Sequence, residues 1–374
     1  MAGVYIHIPF CKKACHYCNF HFSTSLGLQQ SFITALLQEI DLRKSYIFEP
    51  VSTIYFGGGT PSILPSYQIA AVLTRLSQAF MIEPGTEITL EANPDDITAE
   101  KLQQWKEIGI NRLSIGIQSF FEEDLAWMNR AHNSEQAINC IYLAQAAGFF
   151  NLTIDLIYGT PTLTDDRWKE NVDTAIALQI PHLSCYALTV EPATALEKMI
   201  RQKRLANVDA DKQARHFEQL MEWMKESGYD HYEISNFAKP GFRSKHNSSY
   251  WQGKQYIGLG PSAHSFNGHS RQWNISNNAL YIQSLAQGTI PAEEEILSTE
   301  QQLNEYIMTS LRTMEGISLK KLLADFGKDK YETVLKTANA HLKYQHLTLE
   351  DDFLKTTSTG KLLADGIAAD LFIV

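Results

Sequence analysis

The 374-residue chain is 44% hydrophobic and 20% charged, with a formal net charge of -10, an ordinary composition for a globular protein that buries a substantial core. That acidity argues against a general nucleic-acid binder, because neutralising phosphates takes a basic face. No apolar run approaches the length of a membrane span, which points to the cytoplasm with at most peripheral membrane contact.

Short β-rich runs alternate with amphipathic helical patterns through the first half of the chain. The expected strands are Val4 to Ile8, Thr53 to Phe56, Glu87 to Glu91, Arg112 to Ile117, Thr153 to Ile157 and His182 to Leu188, each bounded by Gly, Pro or polar turn residues. Between them run helical stretches such as Gln29 to Lys44, Ser66 to Phe80, Ala99 to Ile108, Ser134 to Ala147 and Asp165 to Leu178. The alternation implies parallel strands with helical crossovers. Six strands predict an α/β fold built as an open, partial (β/α)6 barrel rather than a closed eight-stranded one, with ligands at the carboxyl ends of the strands. After Glu191 the pattern changes to a long helix, Asp209 to Ser227, and then a polar, glycine-rich, aromatic stretch from Lys239 to Asn278. The chain ends in short helices with a hairpin around Leu347 to Lys355. We therefore expect a core barrel over 1–235, a connecting region over 236–298, and a small, mainly helical, winged-helix-like C-terminal domain over 299–374.

Cys11, Cys15 and Cys18 follow the first strand in a CxxxCxxC run. Three thiolates on one loop can hold three irons of a [4Fe-4S] cluster and leave the fourth without a protein ligand. A vacant iron can chelate a small molecule, and chelation of S-adenosylmethionine (SAM) enables radical chemistry. A structural zinc site normally supplies four N/S ligands, and only His16 and His21 lie near enough in sequence to complete one. An odd triplet cannot pair internally as disulfides. Cys140 and Cys185 sit in apolar surroundings and read as buried small hydrophobes.

Gly57-Gly58-Gly59-Thr60-Pro61 follows the second strand, where glycine backbone could approach the amino and carboxylate groups of SAM. Polar residues recur where later strands end: Glu91, Gln118 and Asp155, suited to ribose hydroxyls, an amino group or adenine edges. Arg130 could pair with a carboxylate in bidentate fashion. Each alone is more often a turn cap or structural ion pair; their joint placement at strand ends reverses that and favours a site. A third cluster, Lys245-His246-Asn-Ser-Ser-Tyr250-Trp251, precedes His264. His246, with His264 as an alternative, could ligate haem iron while Tyr250 and Trp251 pack on the porphyrin, although lone histidines are commonly structural.

In these three clusters the sequence resembles the radical SAM superfamily, within it the group of oxygen-independent coproporphyrinogen III oxidases and the related HemW haem chaperones. The resemblance implies a cluster on Cys11, Cys15 and Cys18, and a SAM region lined by Tyr5, Gly58, Gly59, Thr60, Glu91, Gln118, Arg130, Asp155 and Ala187. It departs from the oxidase at Phe20, where that pattern has a further cysteine, and in having only Met1 to Val4 ahead of Tyr5. His246-Asn-Ser-Ser-Tyr250-Trp251 instead fits the HNxxYW pattern of the haem chaperones. The resemblance thus implies haem as cargo, haem-accepting proteins such as membrane respiratory enzymes as partners, an electron donor for the cluster, and a cluster-dependent homodimer. Anaerobic decarboxylation of coproporphyrinogen III is the enzymatic alternative.

Overall fold

Strand β1 (Ala2–Ile8) is buried along almost its whole length, as expected for a parallel strand covered on both faces. It pairs in parallel with β2 (Val51–Gly58), and the series continues through β3 (Ile82–Ala92), β4 (Arg112–Gln118), β5 (Leu152–Tyr158) and β6 (His182–Ala187). The computed structural model describes residues 1–373. Helices cross between the strands, among them Gln29–Leu42, Ser66–Ala79, Ser134–Ala146 and Asp165–Ala177.

Side chains alternate across this curved sheet. Ile6, Phe56, Leu90, Ile115, Ile154 and Leu183 belong to the main apolar core beneath the helices. Their neighbours in sequence are polar and meet each other on the opposite face: Tyr5 stacks on Tyr55, Tyr55 bonds Glu91, and Thr153 bonds His182. Period-two alternation therefore sets an apolar outer face against a polar inner one, and the inner face carries the site.

The sheet does not stop at six strands. Segment 236–298, expected as a connector, supplies β8 (Asn236–Ala238), β9 (Tyr256–Leu259), β10 (His264–Phe266), β11 (Ser270–Asn274) and β12 (Ala292–Ile296). With β7 (Asp230–Glu233) they extend one open sheet in the order β12-β11-β10-β9-β1-β2-β3-β4-β5-β6-β8-β7. Strand β9 runs parallel to β1, and β10 to β12 follow antiparallel. A boundary at 235 falls inside the β7–β8 hairpin. These strands are three to five residues long and lie among turn residues, so no periodicity marks them.

A buried ion pair joins this extension to the helix Gln29–Leu42. Glu39 contacts Arg43 at 3.1 Å. The carboxylate also accepts from Asn274, the Tyr281 hydroxyl and the Gly260 amide, while Arg43 donates to the Gly258 carbonyl, Ser265 and Gln272. Buried charges are tolerated when paired and hydrogen-bonded in this way.

The C-terminal region has its own core, including Leu303, Ile307, Val334, Leu354 and Leu371. Helices Thr299–Leu311, Leu319–Phe326 and Lys328–Lys343 pack with a small sheet of β13 (Ile317–Ser318), β14 (Leu347–Glu350) and β15 (Phe353–Thr356). This mainly helical region is completed by the closing helix Ala364–Leu371. It docks on the barrel through Arg312, which pairs with buried Glu233 at 3.2 Å and lies 5.4 Å from the Trp251 ring. No helix among the described residues is long and apolar enough to cross a membrane.

Candidate functional site

The three cysteines leave the carboxyl end of β1 on a half-buried loop. Its base is closed by the Cys11 amide to the Ser23 carbonyl and the Ser23 amide to the Pro9 carbonyl, at 3.0 and 2.9 Å. Asn129 donates to the Ala14 carbonyl at 2.7 Å, and Lys12 pairs with Asp95 at 2.8 Å. The thiols themselves receive donors: the Thr60 hydroxyl reaches Cys11 Sγ at 3.4 Å and an Arg130 guanidinium N–H reaches Cys15 Sγ at 3.1 Å. Burial lifts the free Cys11 thiol to about 11, the Thr60 hydrogen bond opposing it. Among the described residues no three His, Cys, Asp or Glu side chains converge on a single ion; a cubane takes one thiolate at each of three separate irons. His16 Nδ1 bonds the Trp127 carbonyl and His21 Nε2 bonds Asn278, so one nitrogen of each ring is engaged.

The glycine run works differently from the expectation. The amides of Gly59 and Thr60 donate to the carbonyls of Ile8 and Phe10, at 2.8 and 2.7 Å, which couples β2 to the start of the cysteine loop. Gly58 has φ +105°, and a Cβ there would lie 2.7 Å from the His7 ring. At Gly59 a Cβ would meet the Phe10 carbonyl at 2.6 Å. The glycines thus let the loop close on β2, and these two amides are spent on the chain rather than left for a ligand.

Glu91 accepts from the Tyr55 hydroxyl at 2.8 Å. Burial raises its carboxyl to about 8, with the nearby Asp155 adding to the rise and hydrogen bonds from Tyr55 and Gly58 opposing it. Burial likewise raises Asp155 to about 6, against Ser184 and the charges of Arg130 and Arg112. A nearby cation lowers a carboxyl raised by burial and favours its ionised form, and SAM carries both a sulfonium and an ammonium.

Among the described residues of the protein Arg130 has no carboxylate partner. Besides Cys15 it donates to Asn93 Oδ1 and the Gly116 carbonyl, at 2.8 and 2.9 Å. Its Nε remains buried without a partner, as does Gln118 Oε1. Gln118 sits at φ 64° at the β4 end. A buried orphan acceptor and donor beside the cysteine loop are what a polar ligand would satisfy, so the residues present fit the expected SAM. Ala187 closes β6 opposite Tyr158, and the Tyr5 hydroxyl meets His7 Nδ1 at 3.1 Å. Sequence reasoning missed Tyr55 and Asn93: Tyr55 stands two residues before Gly57 on β2, where strand alternation would have found it, and Asn93 directly follows the end of β3, two residues after Glu91.

The HNxxYW segment forms the short helix Lys245–Trp251. His246 is 1% exposed. Its Nδ1 meets Thr53 Oγ1 and its Nε2 the Tyr250 hydroxyl, each at 2.8 Å, and its ring stacks on Tyr55. Burial and the charge of Arg112 lower the imidazole to about 3. With both nitrogens engaged, His246 has none free for iron; burial, invisible in the letters, makes it a strut under Tyr250. Tyr250, Trp251 and His264 do line a cavity of about 1320 Å³ between the β9–β11 side of the sheet and the C-terminal domain, which also reaches Tyr5, His7 and Phe20.

A family profile described as the radical SAM superfamily matches residues 5–175. The chain is 36% identical over 375 residues to a protein named heme chaperone HemW of Mycobacterium tuberculosis, covering 99% of this chain and 94% of that one. It is 35% identical to the HemW of Bacillus subtilis, covering 88% of each. Among solved structures, the coproporphyrinogen III oxidase HemN of Escherichia coli superposes with a TM-score of 0.86 at 23% identity, covering 99% of this chain and 90% of that one, a likeness of fold.

Proposed function

Because the chain belongs to the HemW family of radical SAM proteins, we propose that it is a haem chaperone, which binds haem and hands it to acceptor proteins such as membrane respiratory enzymes. One observation carries this reading beyond kinship: Tyr250 and Trp251 of the HNxxYW segment open into the same cavity as Tyr5, His7 and Phe20, which border the cysteine loop. On this reading the cargo and cofactor regions would be neighbours in one cleft.

Cys11, Cys15 and Cys18 would hold a [4Fe-4S] cluster, with Thr60 and Arg130 donating to sulfur. Gly58, Gly59, Glu91, Gln118, Asp155 and Ala187 would border SAM, Gln118 offering its unpartnered oxygen and the two carboxyls neutralising its cations. When bound, the reduced cluster supplies the electron that cleaves the sulfur–carbon bond of SAM. Tyr55 and Asn93 hold Glu91 and Arg130 in place. An electron donor, a cluster-dependent homodimer and peripheral contact with a membrane belong to the same proposal.

Anaerobic reconstitution followed by iron, sulfide and haem quantitation, then transfer of haem to an apo-acceptor, tests it. The expected result is iron and sulfide in equal amounts, bound haem, and transfer from the loaded protein. Material that holds only zinc, or that decarboxylates coproporphyrinogen III, overturns the reading.

A further inference from the structure

At about 1320 Å³ the cavity exceeds the roughly 300–1,000 Å³ of ordinary small-molecule pockets, and it presents broad aromatic surface through Phe20, Tyr250, Trp251, Tyr256 and Phe266. Three histidines line it: His7, His21 and His264. His7 is engaged at both nitrogens, by the Tyr5 hydroxyl at 3.1 Å and the His21 carbonyl at 2.8 Å. His21 is engaged at one nitrogen only, Nε2, by Asn278 at 2.7 Å. His264 is exposed to the cavity, and among the described residues no side-chain hydrogen bond involves its ring. Its backbone is fixed: it pairs with Trp273 across β10–β11 and packs so closely on Gly258 that a Cβ there would sit 2.0 Å from the His264 carbonyl. The result is an uncommitted imidazole on a rigid strand.

The charges of the cavity are already matched. Arg243 pairs with Asp230 and Glu315, Arg271 with Glu305, and Lys321 with Asp325. Porphyrin carboxylates therefore meet no free cation from these residues, and discrimination must come from the ring and the metal.

Resting on the haem-chaperone reading, we propose that haem seats in this cavity with His264 as its protein ligand to iron, while His246 acts as a positioning residue that holds Tyr250 against the ring. A single axial bond also suits a carrier, which must release its cargo, since affinity is tuned mostly through dissociation. Iron coordination, not charge, then sets selectivity.

The test uses the full-length protein titrated with ferric haem and with metal-free protoporphyrin IX, followed by absorbance. Wild type binds haem roughly tenfold or more tighter than the metal-free ring. His264→Ala loses that preference and shifts the Soret band, keeps its affinity for protoporphyrin IX, and regains the wild-type band when imidazole is added. His246→Phe retains the axial-ligand spectrum. A His264→Ala protein with wild-type Soret position and haem affinity, or a His246→Phe protein that alone loses the ligand signature, overturns the assignment while leaving the chaperone reading intact. Wild type that binds neither porphyrin overturns that reading itself.

Discussion

Replacing Glu39 by alanine removes the acceptor at the centre of the joint between the helix Gln29–Leu42 and the β9–β11 extension. Glu39 is fully buried and accepts from Arg43, Asn274, Tyr281 and the Gly260 amide. The variant strands these donors together and leaves Arg43, 3% exposed, without its counterion. Arg43 keeps three neutral acceptors, Gly258, Ser265 and Gln272, which limits the loss. Breaking one partner out of a buried ion pair costs about 3–5 kcal/mol, and a stranded neutral donor about 1–3 kcal/mol; the losses overlap because the residues share one network. We expect a total of about 4–5 kcal/mol. Glu39→Gln does not rescue it, because one oxygen serves Arg43 and Asn274 and the other Tyr281 and Gly260, so the amide NH2 faces two donors in either orientation. The double variant Glu39→Leu with Arg43→Met recovers most of the loss, since no charge is then buried alone. Urea unfolding of the anaerobic protein, with hydrogen exchange read at β9–β11, measures both. If Glu39→Ala costs less than about 1 kcal/mol, the network is surface-like in energy and some other contact holds the extension to the barrel.

Gly58→Ala combines a left-handed backbone with a methyl 2.7 Å from a His7 ring held at both nitrogens, so the β2–loop closure opens and reconstituted iron and sulfide content falls severalfold; unchanged content refutes the closure argument. Arg130→Met removes the N–H···S bond to Cys15, and because such bonds raise cluster potentials, anaerobic redox titration should find a more negative midpoint with the cysteine ligation intact. The folded-state pKa of Glu91 is raised to about 8, so its contribution to stability is present below the unfolded carboxylate pKa and is lost as pH rises through about 8. Glu91→Gln should therefore flatten the decline in stability of the cofactor-free protein between about pH 5 and 8; an identical pH profile in both proteins rules out Glu91 as its source.

The cysteine loop was legible because its three ligands lie within eight positions of each other, so the local chain alone brings them together. The six parallel strands were legible for a similar reason: most are separated by helices long enough to show their periodicity. Strands β9 to β12 carried no such mark, and their place beside β1 depends on pairings between residues more than 200 positions apart, as Glu39 with Asn274 shows.

Residue type and spacing determined that three thiols and a set of strand-end polar groups would share one end of a parallel sheet, because chain connectivity and strand alternation act over a few residues. Which histidine is free was decided only by the tertiary structure. His246 and His264 are alike as letters, but Thr53 and Tyr250 close around the first, while the fold of β10 leaves the second facing open space. Hydrogen-bond satisfaction depends on what the rest of the chain brings within about 3 Å, and that is a property of the packed whole.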